Sequence, residues 1–475
     1  MYDKQPEAKP SCTGGQPQDG RMEKFPSIDN SIDIGYSLNY DQKLMLRELK
    51  IMNQFDSLPA GCLDGVVIVD FTWVLSGPLA TRLLTDMGAT VIKVEPYQVG
   101  ANERHLLLSK TVDGVEQSSY SINLNRGKKS ISLDLKKPQA REIIAALAKK
   151  ADVFIENYTP GAMERLGFGY ESIKEFREDI IYCSISCFGH WGPYSNRPGY
   201  DTIAQAASGL SSLYAAPQGS PISPGDVLAG TNAALAIVGA LFARKMNGRG
   251  QNIDISMMDS LLAVNESYIP WYSISQTVGD KIDLTPIGRY YDSYAPFGTY
   301  QGKDGRITIA CLEEPRWPGL VKAMGEEYAW LMNDPRTVDV NTRCNNALWL
   351  NMLIDEWVMS KDTVRDAERL LTENGVACQR VLTIPEIVDT DPHVKAREMF
   401  IEVEQPFLGP MKFCNSPIKM SETPSCIRGC APLLGEHTDD VLANILGYNP
   451  EQIKHFYENG VIYHEPAVDR LTTAE

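Results

Sequence analysis

Between about 63 and 265 the apolar residues fall into short runs of strand length, separated by stretches of helical period. Val66 to Phe71 (VVIVDF) predicts a strand. Ser76-Gly77-Pro78 then punctuates the chain, with Pro suited to a first helical position. Leu79 to Met87 predicts a helix ended by Gly88, and Thr90 to Glu95 a second strand, so a β-α-β unit opens the region. The helix Pro138 to Lys150 leads into a strand at Asp152 to Ile155, and Ile180 to Ser186 is a further strand. Asp201 to Leu213 and Val227 to Met246 predict helices, the second stopping before Gly248-Arg249-Gly250. Gln251 to Ser256 predicts a strand, and Asp259 opens another helix. This alternation implies an α/β fold with a parallel sheet covered by helices.

Outside that region the texture changes. Residues 1–30 are rich in Pro, Gly, Gln and charge and predict a tail. Met45, Leu49 and Met52 share helical spacing within 41–55, which suits an amphipathic helix that is either a strut on its own domain or a partner-binding element. Tyr, Pro and Gly are dense through Tyr268–Tyr300, so 266–284 is expected as a linker. A short strand at Ile307 to Cys311, with helical stretches to about 373, places a smaller domain at 285–405. The large domain is expected to take 61–265 and 415–475, with a helix in Pro432 to Gly447 docking back on its sheet.

The 475-residue length gives a prior of roughly two to four domains. With 61 acidic against 45 basic residues the net charge is -16, which argues against a general nucleic-acid binder. No uninterrupted apolar run reaches the roughly 18 residues of a membrane span, and the first residues lack the apolar core of a secretory signal. The ten Cys include no C-x-x-C pair and are expected as reduced thiols, which reads as cytoplasmic. The six His offer no H-x3-H or H-E-x-x-H pair, so no catalytic metal is expected.

Common catalytic motifs are missing: no G-x-G-x-x-G follows the first strand, and there is no P-loop and no G-x-S-x-G elbow. Carboxylates, or thiols without an obvious base, remain as nucleophiles. Residues 126–150 carry eight cations (Arg126, Lys128, Lys129, Lys136, Lys137, Arg141, Lys149 and Lys150) against Asp134 and Glu142, a net +6. Such a run is either a solvated face or a site for a polyanionic small molecule. Pro224-Gly225-Asp226 before a long apolar helix, and Gly199-Tyr200-Asp201 before another, both fit ordinary helix caps.

Together these pieces resemble the class III CoA-transferases, the family of formyl-CoA transferase and the carnitine and bile-acid CoA-transferases. The resemblance rests on VVIVDFTWVLSGP from Val66, GATVIKVE (88–95), NLNRGKKSISLDLK (123–136) and ADVFIENYTPGAMERLGF (151–168). RPGYDTIAQAASG (197–209), GD (225–226), GRGQNIDISMMDS (248–260), KDGRITIA (303–310) and APLLGEHTDDVL (431–442) follow in order, covering about 61–450. It implies a Rossmann-like large domain built from both chain ends, a smaller middle α/β domain, and a homodimer of interlocked rings. It implies CoA thioesters and free carboxylic acids as substrates, with no tightly bound cofactor, and neither nucleic acid nor membrane as partner.

By position the resemblance makes Asp226 the nucleophile, passing through aspartyl anhydride and aspartyl-CoA thioester intermediates. It places Val74, Leu75 and Ser76 near the pantetheine, and Arg104, Leu133, Lys136, Asn157, Tyr158 and Arg165 around the nucleotide and its phosphates. Tyr200 falls beside the active carboxylate. Trp73 and Leu75 stand where formyl-CoA transferase has His and Gln, and Thr285–Tyr300 lacks that enzyme's glycine run. The expected acceptor is therefore larger or more apolar than oxalate. Two other readings remain: a 2-methylacyl-CoA racemase, disfavoured because Tyr200 replaces the His of the racemase Gly-His-Asp triplet, and a non-catalytic acyl-CoA binding protein.

Overall fold

The computed structural model describes residues 55, 58–213, 222–265, 268–279, 289–290, 295–311 and 313–472. The tail at 1–30 and most of the helix expected at 41–55 lie outside them. The described residues form two compact units. One comprises those of Met1–Ser208, Ser220–Val264 and Pro392–Glu475; the other comprises those of Gly209–Gly219 and Asn265–Asp391.

The first unit is built on β1 (Val67–Asp70), α1 (Ser76–Asp86), β2 (Thr90–Pro96), a hairpin of β3 (Ser109–Val112) and β4 (Val115–Ser118), α2 (Ser119–Asn125) and β5 (Lys129–Leu133). It continues through α3 (Pro138–Lys150), β6 (Val153–Glu156), β7 (Ile181–Ser186), α4 (Asp201–Ala207), α5 (Pro224–Asn247), β8 (Gln251–Ser256) and α6 (Met257–Ala263). The hairpin, α2 and β5 leave no clear pattern of apolar positions in the sequence. The expected helix 201–213 stops at Ala207, and Gly209 has left-handed φ (+81°) before a short turn at Leu210–Leu213.

The second unit has a three-stranded antiparallel sheet of β9 (Phe297–Gln301), β10 (Arg306–Ala310) and β11 (Ala377–Arg380), with β10 in the middle. Its core includes Tyr300, Ile307, Ile309, Leu350, Ile354 and Trp357. Tyr300 donates to Asn351 Oδ1 (2.7 Å), and Trp357 Nε1 donates to the Met324 carbonyl (3.0 Å), so both buried polar tips are satisfied. Tyr268–Val278, inside the stretch expected as a linker, is helical. The hairpin β12 (Phe400–Gln405) and β13 (Gly409–Cys414), which the expected boundary at 405 divides, lies wholly in the first unit.

The large sheet has the order β14-β5-β2-β1-β6-β7-β8, where β14 (Ile462–Tyr463) is antiparallel to β5 and the rest are parallel. Its six parallel strands follow the doubly wound 3-2-1-4-5-6 pattern. Val69 pairs with Ile92 on one side and Phe154 on the other, all fully buried. Phe71, Phe154 and Tyr182 stack in series at 5.0 and 5.3 Å under Ile143, Ile144 and Leu147 of α3. Burial on both faces explains why these strands read as apolar runs rather than alternating ones.

The chain moves outward from β1 through β2 to β5, then restarts beside β1 at β6. The crevice beyond the ends of β1 and β6 is the switch point where open α/β sheets place ligands. Helix α5, 24 residues, is by length and composition long and apolar enough to cross a membrane. Its Gly225, Ala229, Gly230, Ala233 and Ile237 are buried, and it packs on α1.

Candidate active site

The site starts with the turn between β1 and α1. Asp70 ends β1, and its carboxylate accepts from Thr72 N (2.8 Å), Thr72 Oγ1 (2.5 Å) and Thr81 Oγ1 (2.7 Å). Lys128 Nζ lies 3.3 Å from Asp70 Oδ2 and donates to the Pro78 carbonyl (3.1 Å) and Asn125 Oδ1 (2.9 Å). Burial alone would push Asp70 up, but Lys128, Lys93 and the two threonine hydroxyls hold its carboxyl below the ordinary range. Lys93 Nζ donates to the Thr72 carbonyl (2.7 Å) and pairs with Glu103 (2.8 Å).

Val74 sits at φ +64°, where a β-branched residue costs about 1–2 kcal/mol. Its N–H donates to Glu103 Oε2 at 3.0 Å, so the buried ion pairs below hold the strained turn in place. From β6, Asn157 clamps the other side. Its Oδ1 accepts from Trp73 N (2.9 Å), and its Nδ2 donates to the Trp73 carbonyl (2.8 Å) and to Ser76 Oγ (3.3 Å). The rings of Trp73 and Tyr158 stack at 5.8 Å.

Asp226 lies in the first turn of α5, 8% exposed. Ser76, the first residue of α1, stands against it in the same cleft, and its hydroxyl and backbone N–H favour the charged carboxylate. The positive end of α1 thus meets the acid. The two helices come this close because residue 230 is Gly; a Cβ there would stand 2.4 Å from the Ser76 carbonyl oxygen. Burial, then the neighbouring Asp201 carboxylate, raises Asp226 to about 6 against the Ser76 donors. At neutral pH it is an anion with incomplete solvation, which is the condition of a reactive carboxylate.

Two nearby groups stay protonated under its charge. Burial, then Asp226 and Asp201, push the Cys187 thiol up to about 11. Burial, then Asp226 among nearby carboxylates, push Tyr120 up to about 12. A thiol held protonated is a poor competitor for a thioester.

A cleft of about 110 Å³ opens over these groups, with Trp73, Ser76, Tyr158, Cys187, Tyr200 and Asp226 in its wall. Of the residues singled out from sequence, Val74, Ser76, Asn157, Tyr158 and Tyr200 meet Asp226 here, Tyr200 with 63% of its surface exposed. Leu75 caps α1 instead, its carbonyl accepting from Leu79 N. Arg104 grips Glu95 with two 2.7 Å bonds and lines a separate cavity of about 280 Å³. Leu133 is 1% exposed, within the sheet core. Lys136 and Arg165 are exposed and outside the cleft wall.

The cationic run divides. Arg126 pairs with buried Asp86 (2.7 Å), Lys128 with Asp70, and Lys129 with Asp440 (2.7 Å). Sequence reasoning missed Asp70, Lys93, Glu103, Tyr120 and Asp201 as parts of the site. Asp70 and Lys93 carried a readable signal, since charges inside buried apolar strands occur almost only as partners.

A family profile described as CoA-transferase family III matches residues 63–438. The formyl-CoA:oxalate CoA-transferase of Rhodopseudomonas palustris is 32% identical over 427 residues, covering 84% of this chain and 96% of the relative. The succinyl-CoA–D-citramalate CoA-transferase of Chloroflexus aurantiacus is 31% identical over 404 residues, covering 83% and 96%. The crystal structure of a CaiB/BaiF family protein from Brucella suis superposes with a TM-score of 0.72 at 31% identity, over 81% of this chain and all of that one.

Proposed function

Because the chain belongs to CoA-transferase family III, we propose that Asp226 is the covalent carrier that moves CoA from an acyl-CoA donor to a free carboxylic acid. The observation that carries this reading is the Asp226 carboxylate, buried beside the start of α1 in the wall of the switch-point cleft. An Asp226 oxygen attacks the donor thioester carbon. The C–S bond breaks, CoA thiolate leaves with its electron pair, and an acyl-aspartyl anhydride remains. The thiolate attacks the Asp226 carbonyl carbon and expels the donor acid as its carboxylate, leaving an aspartyl-CoA thioester. The acceptor carboxylate attacks that carbonyl and releases the thiolate again, forming a second anhydride. Thiolate attack on the acceptor's carbonyl gives the new CoA thioester and restores the Asp226 carboxylate. No net proton is consumed.

Val74 and Ser76, in the cleft wall, are assigned to the pantetheine arm, with Leu75 setting their turn as the cap of α1, and Asn157 and Tyr158 to the nucleotide. Exposed Lys136 and Arg165 are assigned to the phosphates, as charge-assisted donors. Arg104 is engaged in its ion pair with Glu95 and Leu133 lies in the sheet core. The subunits are proposed to pair as an interlocked homodimer. The acceptor is proposed to be larger or more apolar than oxalate, a reading supported by the stacked Trp73–Tyr158 pair beside the cleft.

The test is Asp226→Ala, assayed with a panel of acyl-CoA donors and carboxylic acid acceptors read by mass spectrometry. Turnover is expected to fall by about 10³-fold or more with CoA binding kept. Undiminished turnover contradicts the mechanism, and efficient oxalate exchange contradicts the acceptor assignment.

A further inference from the structure

Helix α5 is preceded by Ser223, whose side chain makes no capping hydrogen bond. The amides of its first turn are satisfied from elsewhere. Asp201 Oδ1, at the start of α4, accepts from Gly225 N (2.6 Å) and Asp226 N (3.2 Å). Its Oδ2 accepts from Gln205 Nε2 (2.5 Å), one turn further along α4. Both side chains are buried. Gly225 permits the approach, since a Cβ there would lie 2.9 Å from Asp201 Oδ1. Asp201 is thereby pinned at the helix end that also carries the nucleophile.

We propose that Asp201 is a positioning residue that fixes the first turn of α5 and holds a second negative charge beside Asp226, a charge conflict that acylation of Asp226 relieves. This rests on Asp226 being the acylated group and deepens that reading. In the resting site two carboxylates share one buried helix end. As Asp226 attacks, its electron pair becomes the new C–O bond and negative charge leaves on the CoA thiolate. The anhydride is neutral at Asp226, so the repulsion is present in the ground state and falls along the reaction. Among the described residues, the other titratable or polar groups that act on Asp226 or feel its charge are the Ser76 hydroxyl and amide from α1, Tyr120 from α2 and Cys187 beyond β7. The first is neutral and the last two are protonated, so Asp201 supplies the opposing charge.

Asp201→Asn keeps an oxygen to accept the two amides and removes the charge. The measurements are kcat/KM against pH and the rate of hydroxylamine-trapped adduct formation from an acyl-CoA, for wild type and variant. The acidic limb of the variant is expected to move down by about one pH unit or more. Adduct formation at about pH 8 is expected to slow about ten-fold. An unmoved limb overturns the proposal. If Asp201→Asn does not fold, Gln205→Leu removes the donor that tempers Asp201's charge. That limb is expected to move up, and an unmoved or lowered one overturns the proposal. A wild type that forms no adduct at Asp226 defeats the functional reading itself, whereas a normal wild-type adduct with an unmoved limb defeats only the role of Asp201.

Discussion

Asn157 and Trp73 exchange two hydrogen bonds across the sheet's switch point, Trp73 N to Asn157 Oδ1 at 2.9 Å and Asn157 Nδ2 to the Trp73 carbonyl at 2.8 Å. A side chain following β6 thus completes the backbone bonding of a turn following β1, and its third bond steadies Ser76, which shares the cleft wall with Asp226. Asn157→Ala is expected to loosen the turn and lower kcat by about 10²-fold, the scale of a slight misplacement of a reacting group. The acidic limb of the pH profile is expected to stay where it is, because the charges around Asp226 are unchanged. Steady-state kinetics across pH separate this from a merely weakened CoA contact, which would raise KM alone.

Gly230 allows α5 to rest on the Ser76 carbonyl. Gly230→Ala forces backbone apart, since the atom it meets cannot swing aside. A loss of about 1–3 kcal/mol in denaturant unfolding is expected, together with reduced turnover as Ser76 withdraws from Asp226. An alanine variant with wild-type stability and activity would show that the two helices are not held at this distance.

Asp226 makes the folded protein less stable at neutral pH. Its folded value, about 6, lies above the ordinary 3.8, so the folded chain binds the proton more tightly than the unfolded one. The group's contribution is fully present below about pH 4, declines as pH rises to about 6, and is flat above. Asp226→Asn removes that decline. The variant is expected to match wild type near pH 4 and to exceed it by up to about 3 kcal/mol at pH 8, measured by denaturant unfolding. A wild type that is the more stable of the two at pH 8 would contradict the burial and charge conflict assigned to this side chain.

The Lys128–Asp70 pair lies fully buried beneath the turn. Lys128→Met leaves the Asp70 charge without its nearest cation, and a loss of about 3–5 kcal/mol is expected. Adding Asp70→Asn should recover part of that loss. Full additivity of the two changes in unfolding experiments would show that they do not act as a pair.

Strands β1, β2, β6 and β7 and helix α3 were legible because burial on both faces leaves apolar runs and a helix against them leaves a regular stripe. Asp226 was legible by spacing only as a helix cap; its resemblance to a family motif, not its pattern, singled it out. The cationic run misled because charge content does not reveal direction. Arg126 and Lys128 point inward to Asp86 and Asp70, while Lys136 stays exposed. Asp201 reads as the cap of its own helix yet serves another helix 24 positions later, a tertiary relation that no local pattern encodes. The hairpin β3–β4 was missed because Ser109–Val112 is largely exposed and shows no apolar alternation.

The most direct measurement is peptide mapping by mass spectrometry after mixing the protein with an acyl-CoA and quenching with hydroxylamine. A hydroxamate is expected on the peptide that contains Asp226, formed only when acyl-CoA is present and lost in Asp226→Ala. A turning-over enzyme with that peptide unmodified, or modified at another residue, would contradict the covalent role of Asp226.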